Sequence, residues 1–462
     1  RLVAHAVAYE ADNPGSLSGA LLAEDRTQAY AFNVAQGTGE SARQAQLGVT
    51  WRRHLGDPPP ARAAAVEPGG TGPTLDVAAW ALTRDLDNPI PPVVIDLSRW
   101  AAGLRAAVRG GTRLGGRAVD WVAGVDAEGQ WDSRLNFEND GGSRGALVLD
   151  QAETVTSVAP FLETSVPVGG PVAALAGLRY DRYRFTADDR MIVAGDPSTD
   201  DSGSRVMTQL SPSLGLTADV GRTSVYGSVA SSFETPTTTE LVNRPGGAEG
   251  FNPDLEPQRT WSLEAGLRTE LSGAARLHAA VYRMAIRDAL IPFEDPSSPG
   301  RTFFRNAGSA VHRGVELDGW VDLGAGLRAR LAYTWTDARF DDFITPDGDF
   351  SGNRVPGVAP HRVTGVVTWS RAGARLALDA RWTDAIPVND ANTASAPSYA
   401  LLGLRAATPP LSIGPGSVDV FGGVDNLVDA EYIASVVVNA FGARYYEPGP
   451  GRSVYLGVRV SR

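Results

Sequence analysis

The chain has 462 residues, and its 53 acidic side chains outnumber its 42 basic ones for a formal net charge of -11. At roughly 150 residues per domain, this length predicts about three soluble domains, or one large barrel or propeller. There is no Cys, which excludes disulfides, zinc–thiolate sites and cysteine nucleophiles. The acidic balance argues against a nucleic-acid partner.

In segment after segment, apolar residues recur at every second position, the period of a strand whose two faces differ. In chain order, clear examples are residues 261–267, 327–335, 376–382 and 454–460, where the face opposite the apolar one is often charged. Counted from Arg1 to Val460, such segments predict about 18 strands at the ~10-residue length of strands in membrane barrels.

The predicted connections alternate between short and long. Short ones with turn-forming Gly are 167–171, 220–222, 271–274, 323–326 and 372–374. Long ones are 12–41, 188–205, 234–257, 291–310, 340–360 and 427–451. Residues 55–73 are long and Pro-rich where a short turn is due, and we interpret them as a flexible insertion.

This rhythm favours one architecture. A propeller blade has four strands per repeat of about 40 to 45 residues, whereas here a similar period has one hairpin and one long loop. Two-faced strands with short turns on one rim and long loops on the other predict an all-β, transmembrane antiparallel β-barrel.

Tryptophans are predicted at both ends of the strands. Trp51 and Trp369 fall near short-turn ends, while Trp261, Trp335 and Trp382 fall near long-loop ends. Two aromatic girdles at the membrane surfaces have this distribution. The alternative is ordinary tryptophan packing in a soluble β-sheet.

Several motifs follow one another in a fixed order. They are YGSVASSFETP at 226–236, EL at 240–241, NPDLEP at 252–257, EAGL at 264–267, NAG at 306–308, RGVEL at 313–317, NRVPG at 353–357, VDNLVDAEY at 424–432 and EPGPGRSVYLG at 447–457. In order and spacing, the set resembles the TonB-dependent outer-membrane receptors over more than half of the chain.

The resemblance implies a barrel of 22 strands, so about 18 of an expected 22 strands are predicted here. The family also has an N-terminal plug with a TonB-binding box, and no match to either is found. Residues 1–462 are therefore expected to be a single receptor β-barrel domain that lacks the plug and the first strands. The implied location is the cell outer membrane.

The resemblance also implies a function: uptake of a ferric siderophore or similar metal chelate, without an enzymatic step or a cofactor. The implied partners are TonB, through the plug region, outer-membrane lipid and a small-molecule metal chelate. The alternatives are a receptor for another nutrient, such as cobalamin or a carbohydrate, and a passive porin-like channel.

Ferric chelates are anionic and often aromatic, so Arg and aromatic side chains in the long loops are the predicted contacts. The candidates are Arg244, Phe251, Phe304, Arg305, Arg354, Tyr432, Arg444 and Tyr445. The alternative for each of them is a solvated side chain or a member of a girdle.

No metal site is predicted from histidine, because the five His residues have no pair at a ligand spacing such as i, i+4. No His lies in 237–251, where haem receptors of this family carry one. Acidic residues at 196–201 and 337–349 could bind calcium, but a solvated charge cluster is the more common explanation.

Overall fold

The alternating pattern does produce strands along nearly the whole chain. The computed structural model describes residues 1–55, 72–194, 196, 200–242, 244, 252, 254–296 and 302–461. The only α-helices in these ranges are short: α1 (Gly19–Glu24), α2 (Ala31–Ala35) and α3 (Thr238–Val242). None of them is long and apolar enough to cross a membrane.

The strands, in chain order, are β1 (Leu2–Asp12), β2 (Gly39–His54), β3 (Thr74–Ile90), β4 (Val93–Leu114), β5 (Arg117–Asp140), β6 (Ser143–Gly169), β7 (Val172–Asp189), β8 (Gly203–Val220), β9 (Thr223–Glu234), β10 (Gln258–Ser272), β11 (Ala275–Arg287), β12 (Leu290–Glu294), β13 (Thr302–Asn306), β14 (Ser309–Gly324), β15 (Leu327–Asp342), β16 (Ile344–Thr345), β17 (Gly348–Asp349), β18 (His361–Arg371), β19 (Ala374–Thr383), β20 (Ile386–Pro387), β21 (Ser395–Ala396), β22 (Tyr399–Ala407), β23 (Leu411–Ile413), β24 (Gly416–Asp425), β25 (Ile433–Val436), β26 (Tyr446–Pro448) and β27 (Ser453–Ser461).

One large sheet contains nineteen of these strands, and the rest form small hairpins in the loops. Each sheet strand pairs antiparallel with the next along the chain, from β1–β2 to β24–β27. Because β22 and β23 both pair with β24 and are separated only by residues 408–410, they act as one interrupted strand. The sheet is then an 18-stranded meander, and the predicted all-β barrel fold with about 18 strands is confirmed.

The short turns that the sequence predicts lie on one rim. Gly221–Arg222, Gly273–Ala274, Ala325–Gly326 and Ala372–Gly373 each connect two strands there. We call this edge the short-turn rim and the opposite edge the long-loop rim. The ends of the insertion, Leu55 and Pro73, also meet at the short-turn rim, through a 2.7 Å hydrogen bond from the Leu55 amide. Most of the insertion, 56–71, lies outside the described residues.

The predicted alternation of short and long connections fails on the long-loop rim at two places. Pro91–Pro92 and Gly141–Gly142 are two-residue connections there. The reason is strand length, since β3, β4, β5 and β6 have 17, 22, 24 and 27 residues. In these two hairpins the strands continue through residues that would belong to the loops elsewhere on this rim.

The outward face of the sheet is apolar and exposed, as for a barrel whose surroundings are apolar. Leu214 and Leu263 are 60% and 59% exposed. The girdle tryptophans lie on the surface as well: Trp51 is 49% exposed and Trp261 is 52% exposed.

Buried apolar side chains cluster instead at the long-loop rim, where loops fold over the sheet. One cluster packs Ile286, Ala307, Phe340 and Phe343 together. A second contains Phe185, Met207, Leu241 and Leu255, and a third Val388, Ala396 and Ile433. These clusters fix the loops in place and thereby position the polar groups described next.

Candidate functional site

A β-hairpin inside the loop after β11 lies at the long-loop rim and contacts three other loops there. We call the region around this hairpin the mouth. Its strands β12 and β13 pair Ile291 with Arg305 and Phe293 with Phe303. At its base, the Asn306 amide donates to the carbonyls of Glu256 (2.9 Å) and Asp288 (2.6 Å). The loop predicted from sequence at 291–310 is therefore ordered by strand pairing.

Arg305 connects this hairpin to two other loops. Its guanidinium lies 3.5 Å from Asp347 Oδ2 and 3.3 Å from Asp390 Oδ2. It also lies over the rings of Phe293 and Phe343, with 4.8 and 5.5 Å between Cζ and the ring centroids. The buried Arg305 Nε has no hydrogen-bond partner in the described part of the chain.

Asp390 is the most deeply buried charged member of this group. It is 3% exposed, its amide donates to Asn439 Oδ1 at 2.9 Å, and its carbonyl accepts from Asn353 Nδ2 at 2.9 Å. Burial raises the pKa of the Asp390 carboxyl, although Asn439 and Arg305 act in the opposite direction. Asp390 Oδ1 has no partner among the described groups.

We expect the packing of these loops to depend on pH through Asp390. Because its folded pKa is raised, the folded state binds the proton more tightly than the unfolded state. The resulting stabilisation is fully present below the ordinary value of 3.8 and is lost as pH rises through the raised pKa. Hydrogen exchange of residues 386–396 should therefore slow as pH falls through that window, after correction for the intrinsic exchange rate.

The Asp390→Asn variant should abolish this pH dependence, because Asn keeps the shape of the side chain and does not titrate. The control is Asp349→Asn, since Asp349 is an exposed loop carboxylate whose pKa is lowered by its hydrogen bonds with Ser351. An unchanged profile in Asp390→Asn would show that another group titrates.

A buried ion pair joins the same hairpin to the last long loop. Arg444 Nη2 lies 2.9 Å from Glu294 Oε2, and the two side chains are 7% and 5% exposed. Glu294 also accepts from the Phe441 amide at 3.0 Å, and the Arg444 guanidinium lies 4.6 Å from the centroid of Tyr30. Arg444 therefore has protein partners on both sides, and its predicted role as a ligand contact remains a prediction.

Two predicted tyrosines lie in the last loop. The Tyr445 hydroxyl accepts from Asn389 Nδ2 at 3.3 Å, next to Asp390 in the sequence. The Tyr432 ring packs on Tyr399 with centroids 5.0 Å apart. Both side chains are partly exposed, so both retain surface that a ligand could contact.

The other predicted contacts are more scattered. Phe304 packs against the cluster that contains Leu241 and Leu255. The side chain of Arg354 is exposed, and its backbone is held by Asn392. Arg244 is partly buried, and Phe251 lies outside the described residues.

The structure thus brings Arg305, Arg444 and Tyr445 into one polar network. Sequence reasoning missed the groups that connect them: Asp390, Asn439, Glu294, Phe293, Phe343 and Asn389. Asn439 has a signal in the sequence, because Asn is a residue type enriched at positive φ in tight loops. Its φ is indeed 54°. The buried acids have none, because burial within loops follows no period.

A second polar cluster lies on the wall of the sheet toward the same rim. Arg99 binds Asp132 through two hydrogen bonds of 2.8 and 2.7 Å. Arg134 reaches Thr239 at 3.3 Å, which attaches the loop containing α3 to this wall. Glu153 is 2% exposed and faces Arg134 at 3.8 Å.

The acidic loops at 196–201 and 337–349 were considered as calcium sites. Among the described residues, no group of three or more His, Asp or Glu is arranged to hold an ion. Asp337 is bound by Arg313 and Arg339, and Asp347 by Arg305. The segment 196–201 lies partly outside the described residues. A solvated charge cluster stays the prediction for both segments.

Comparisons with known proteins place these features in context. The family model "TonB dependent receptor-like, beta-barrel" matches residues 83–427. The ferrioxamine B receptor of Salmonella typhimurium is 26% identical over 272 residues, which are 56% of this chain and 36% of the receptor. The ferrichrome outer membrane transporter/phage receptor of Escherichia coli is 27% identical over 34% of this chain and 20% of the transporter.

Solved structures agree on the fold. The ferric citrate transporter FecA superposes on 100% of this chain and 67% of its own, with a TM-score of 0.77 and 15% identity. The ferric yersiniabactin uptake receptor FyuA of Yersinia pestis gives 0.72, with 16% identity over 100% of this chain and 67% of its own. The alignments with the curated relatives cover only about a third or less of those proteins.

Proposed function

Because the chain belongs to the TonB dependent receptor-like β-barrel family, an outer-membrane family, we propose that it is the barrel of a receptor that takes up a ferric siderophore or a similar metal chelate. In this proposal it binds and gates its ligand and performs no covalent chemistry. It acts together with TonB, through a plug region outside these residues, and residues 1–462 form one barrel domain.

The observation that carries this proposal is the Arg305 group at the mouth. A guanidinium held between two aromatic rings offers both a charge for an anionic chelate and flat surface for its organic part. The buried Arg305 Nε and Asp390 Oδ1 lack partners among the described residues, and a bound ligand or an ordered water would satisfy them. Tyr445 adds a hydroxyl beside it.

The ligands named for similar proteins support the same class. Those proteins include receptors or transporters for ferrioxamine B, ferrichrome, ferric citrate and ferric yersiniabactin. These ligands differ in structure but are all iron chelates. They favour a chelate over a carbohydrate for this chain, and they do not select one chelate.

Arg305 could also couple ligand binding to loop movement. An anionic ligand at its guanidinium would compete with Asp347 and Asp390, which belong to two different loops. Binding would then loosen the attachment of those loops to the β12–β13 hairpin. This is a shift between two arrangements driven by the ligand's preference for one of them.

The Arg305→Gln variant should weaken binding of a ferric chelate by roughly 30-fold, since a charge-assisted hydrogen bond contributes about 2 kcal/mol in a partly buried site. Binding should be measured with the full-length receptor by tryptophan fluorescence quenching, with ferrioxamine B and ferric citrate as probes. Arg190→Gln is the matched control, because Arg190 is 50% exposed in the loop after β7 on the same rim and a much smaller effect is expected there.

Unchanged affinity in Arg305→Gln would remove Arg305 from the ligand site. Failure of the unmodified receptor to bind any of several ferric chelates, together with binding of cobalamin or an oligosaccharide, would replace the proposed substrate class. Passive diffusion of solutes through the complete protein in liposomes would favour the porin-like alternative.

A further inference from the structure

Met284 of β11 and His312 of β14 lie directly opposite each other in the sheet. Directly opposed residues of an antiparallel pair have Cα atoms about 5 Å apart, and their side chains lie on the same face. The thioether and the imidazole are therefore neighbours. A search for histidines at ligand spacing does not find this pair, because the partner of the histidine is a methionine on another strand.

The pair faces the inside of the barrel, just below the mouth. One step closer to the long-loop rim on the same face, Ile286 lies opposite Ala310, and both belong to a buried cluster at that rim, with 6% and 1% exposure. Val281 lies three positions before Met284, hence on the other face, and is 53% exposed. Because side chains alternate between the faces of a strand, Met284 and His312 share the inward face. Both residues are partly exposed, so the pair is accessible from the barrel interior.

The imidazole of this pair has an unsatisfied nitrogen. His312 Nε2 is buried and has no hydrogen-bond partner among the residues that the structure describes. The residues opposite it on the two neighbouring strands are Met284 and Ala338, whose side chains have no N–H or O–H group. Three other histidines each have a hydroxyl partner at 2.9 to 3.1 Å: His54 with Thr74, His278 with Tyr226 and His361 with Tyr333. A buried polar atom without a partner needs an explanation, and contact with an ion or a water molecule is one.

The two side chains select one kind of metal ion. A thioether is a soft, neutral ligand that binds Cu(I) and not hard ions such as Ca²⁺ or Mg²⁺, and imidazole also suits copper. The next inward pair toward the rim, Ile286 and Ala310, is apolar, and neither Met284 nor His312 has a carboxylate directly opposite. Because the desolvation of an ion costs more free energy as its charge rises, such surroundings favour a monovalent ion over a divalent one.

We propose that Met284 and His312 bind Cu(I), through the Met284 sulfur and His312 Nε2, on the inner wall of the barrel below the mouth. Neither side chain has to lose a proton, because the thioether is neutral and a neutral imidazole is the form that binds metals. The copper stays Cu(I) throughout, so the site needs no redox partner. It shares no residue with the Arg305 group and does not rest on the proposed uptake of a chelate.

The test uses the full chain in detergent micelles under anaerobic conditions, with Cu(I) alone as the probe and bicinchoninate, a coloured Cu(I) chelator, as the competitor. We expect one Cu(I) per chain to be retained. Met284→Leu and His312→Gln should each weaken Cu(I) binding by about 100-fold or more, since loss of even a residue that only supports a metal ligand costs about 10- to 100-fold. X-ray absorption should show sulfur bound to copper in the unmodified chain and not in Met284→Leu.

Met207→Leu and His278→Gln are the matched controls. Met207 is 4% exposed within the second buried cluster, and His278, on the same face of β11 as Met284, has its Nε2 bonded to the Tyr226 hydroxyl. Both variants should bind Cu(I) as the unmodified chain does. Met284→Leu conserves the volume of the side chain, a change that packed interiors tolerate well, so lost binding in this variant reports the sulfur atom.

Three results would overturn the proposal. They are failure of the unmodified chain to retain Cu(I) against the competitor, unchanged affinity in either Met284→Leu or His312→Gln, and an absorption spectrum with nitrogen and oxygen as the only ligands of copper. The first result would leave a water molecule as the partner of His312 Nε2. Equal affinity for Zn²⁺ would also contradict the proposal, because the thioether would then not select a soft ion.

Discussion

Replacing Arg444 by Met should open the long-loop mouth, at a local cost of about 3 to 5 kcal/mol, because removing one partner of a buried ion pair is strongly destabilising. Both side chains are almost fully shielded from water, so solvent does not attenuate the effect. Hydrogen exchange of residues 290–306 and 437–446 should rise accordingly, while exchange in β3–β6 should stay unchanged.

The double variant Glu294→Gln/Arg444→Met separates two contributions to the loss of stability. One is the loss of the ion pair, and the other is the penalty for burying a charge after its partner is removed. The Gln side chain still offers an oxygen to the Phe441 amide, which donates to Glu294 in the unmodified chain, and the charges of both Glu294 and Arg444 are removed together. The double variant should therefore be more stable than Arg444→Met alone.

An exposed ion pair supplies the control for this experiment. Arg330 and Asp318 lie 3.0 Å apart with side chains 65% and 37% exposed, and Arg330→Met should cost no more than about 1 kcal/mol. If Arg444→Met were equally mild, the Glu294–Arg444 pair would not hold the loops together.

Gly326→Ala should destabilise the sheet by about 2 to 5 kcal/mol through two additive effects. Gly326 has φ +83°, and the left-handed region costs an L-residue roughly 1–2 kcal/mol. A Cβ at this position would also overlap the backbone carbonyl of Ser370. Because the overlap is with backbone, no side-chain rotation can relieve it, and such overpacking costs about 1–3 kcal/mol. Urea unfolding from detergent micelles measures the loss.

Gly324→Ala is the matched control in the same turn. Its φ is +82°, but an added Cβ would meet open space, so only the conformational cost of roughly 1–2 kcal/mol is expected. Equal losses in the two variants would mean that the Ser370 carbonyl moves aside without cost. The comparison therefore isolates the close approach between the β14–β15 turn and the end of β18.

The sheet itself was predictable from local pattern. The alternation in 327–335 and 376–382 reappears within β15 and β19, and the predicted turns at 220–222, 271–274, 323–326 and 372–374 fall on the short-turn rim. Asn252 is a residue type that favours turns, and its Oδ1 accepts from the Asp254 amide at 3.0 Å before β10 begins at Gln258. Such features depend on residues close in sequence, which is why the sequence reveals them.

The last loop was predicted less well. Pro and Gly in 447–451 predict a segment that resists strand pairing, yet Glu447 and Pro448 belong to β26 and oppose Ser435 and Ile433 of β25. Proline is tolerated in such a two-stranded hairpin because each strand has a free edge. The predicted start of the final strand after Gly451 is nonetheless confirmed, since β27 begins at Ser453.

By itself, the amino-acid sequence determined the class of this protein: a two-faced, all-β barrel with short turns on one rim, with the ordered motifs of the TonB-dependent receptors. Only the tertiary structure decided which loop residues meet. Arg305 and Asp390 are 85 positions apart and Glu294 and Arg444 are 150 apart. Contacts between loops leave no periodic trace, because they depend on how separate hairpins converge at the rim and not on the alternation within any one strand.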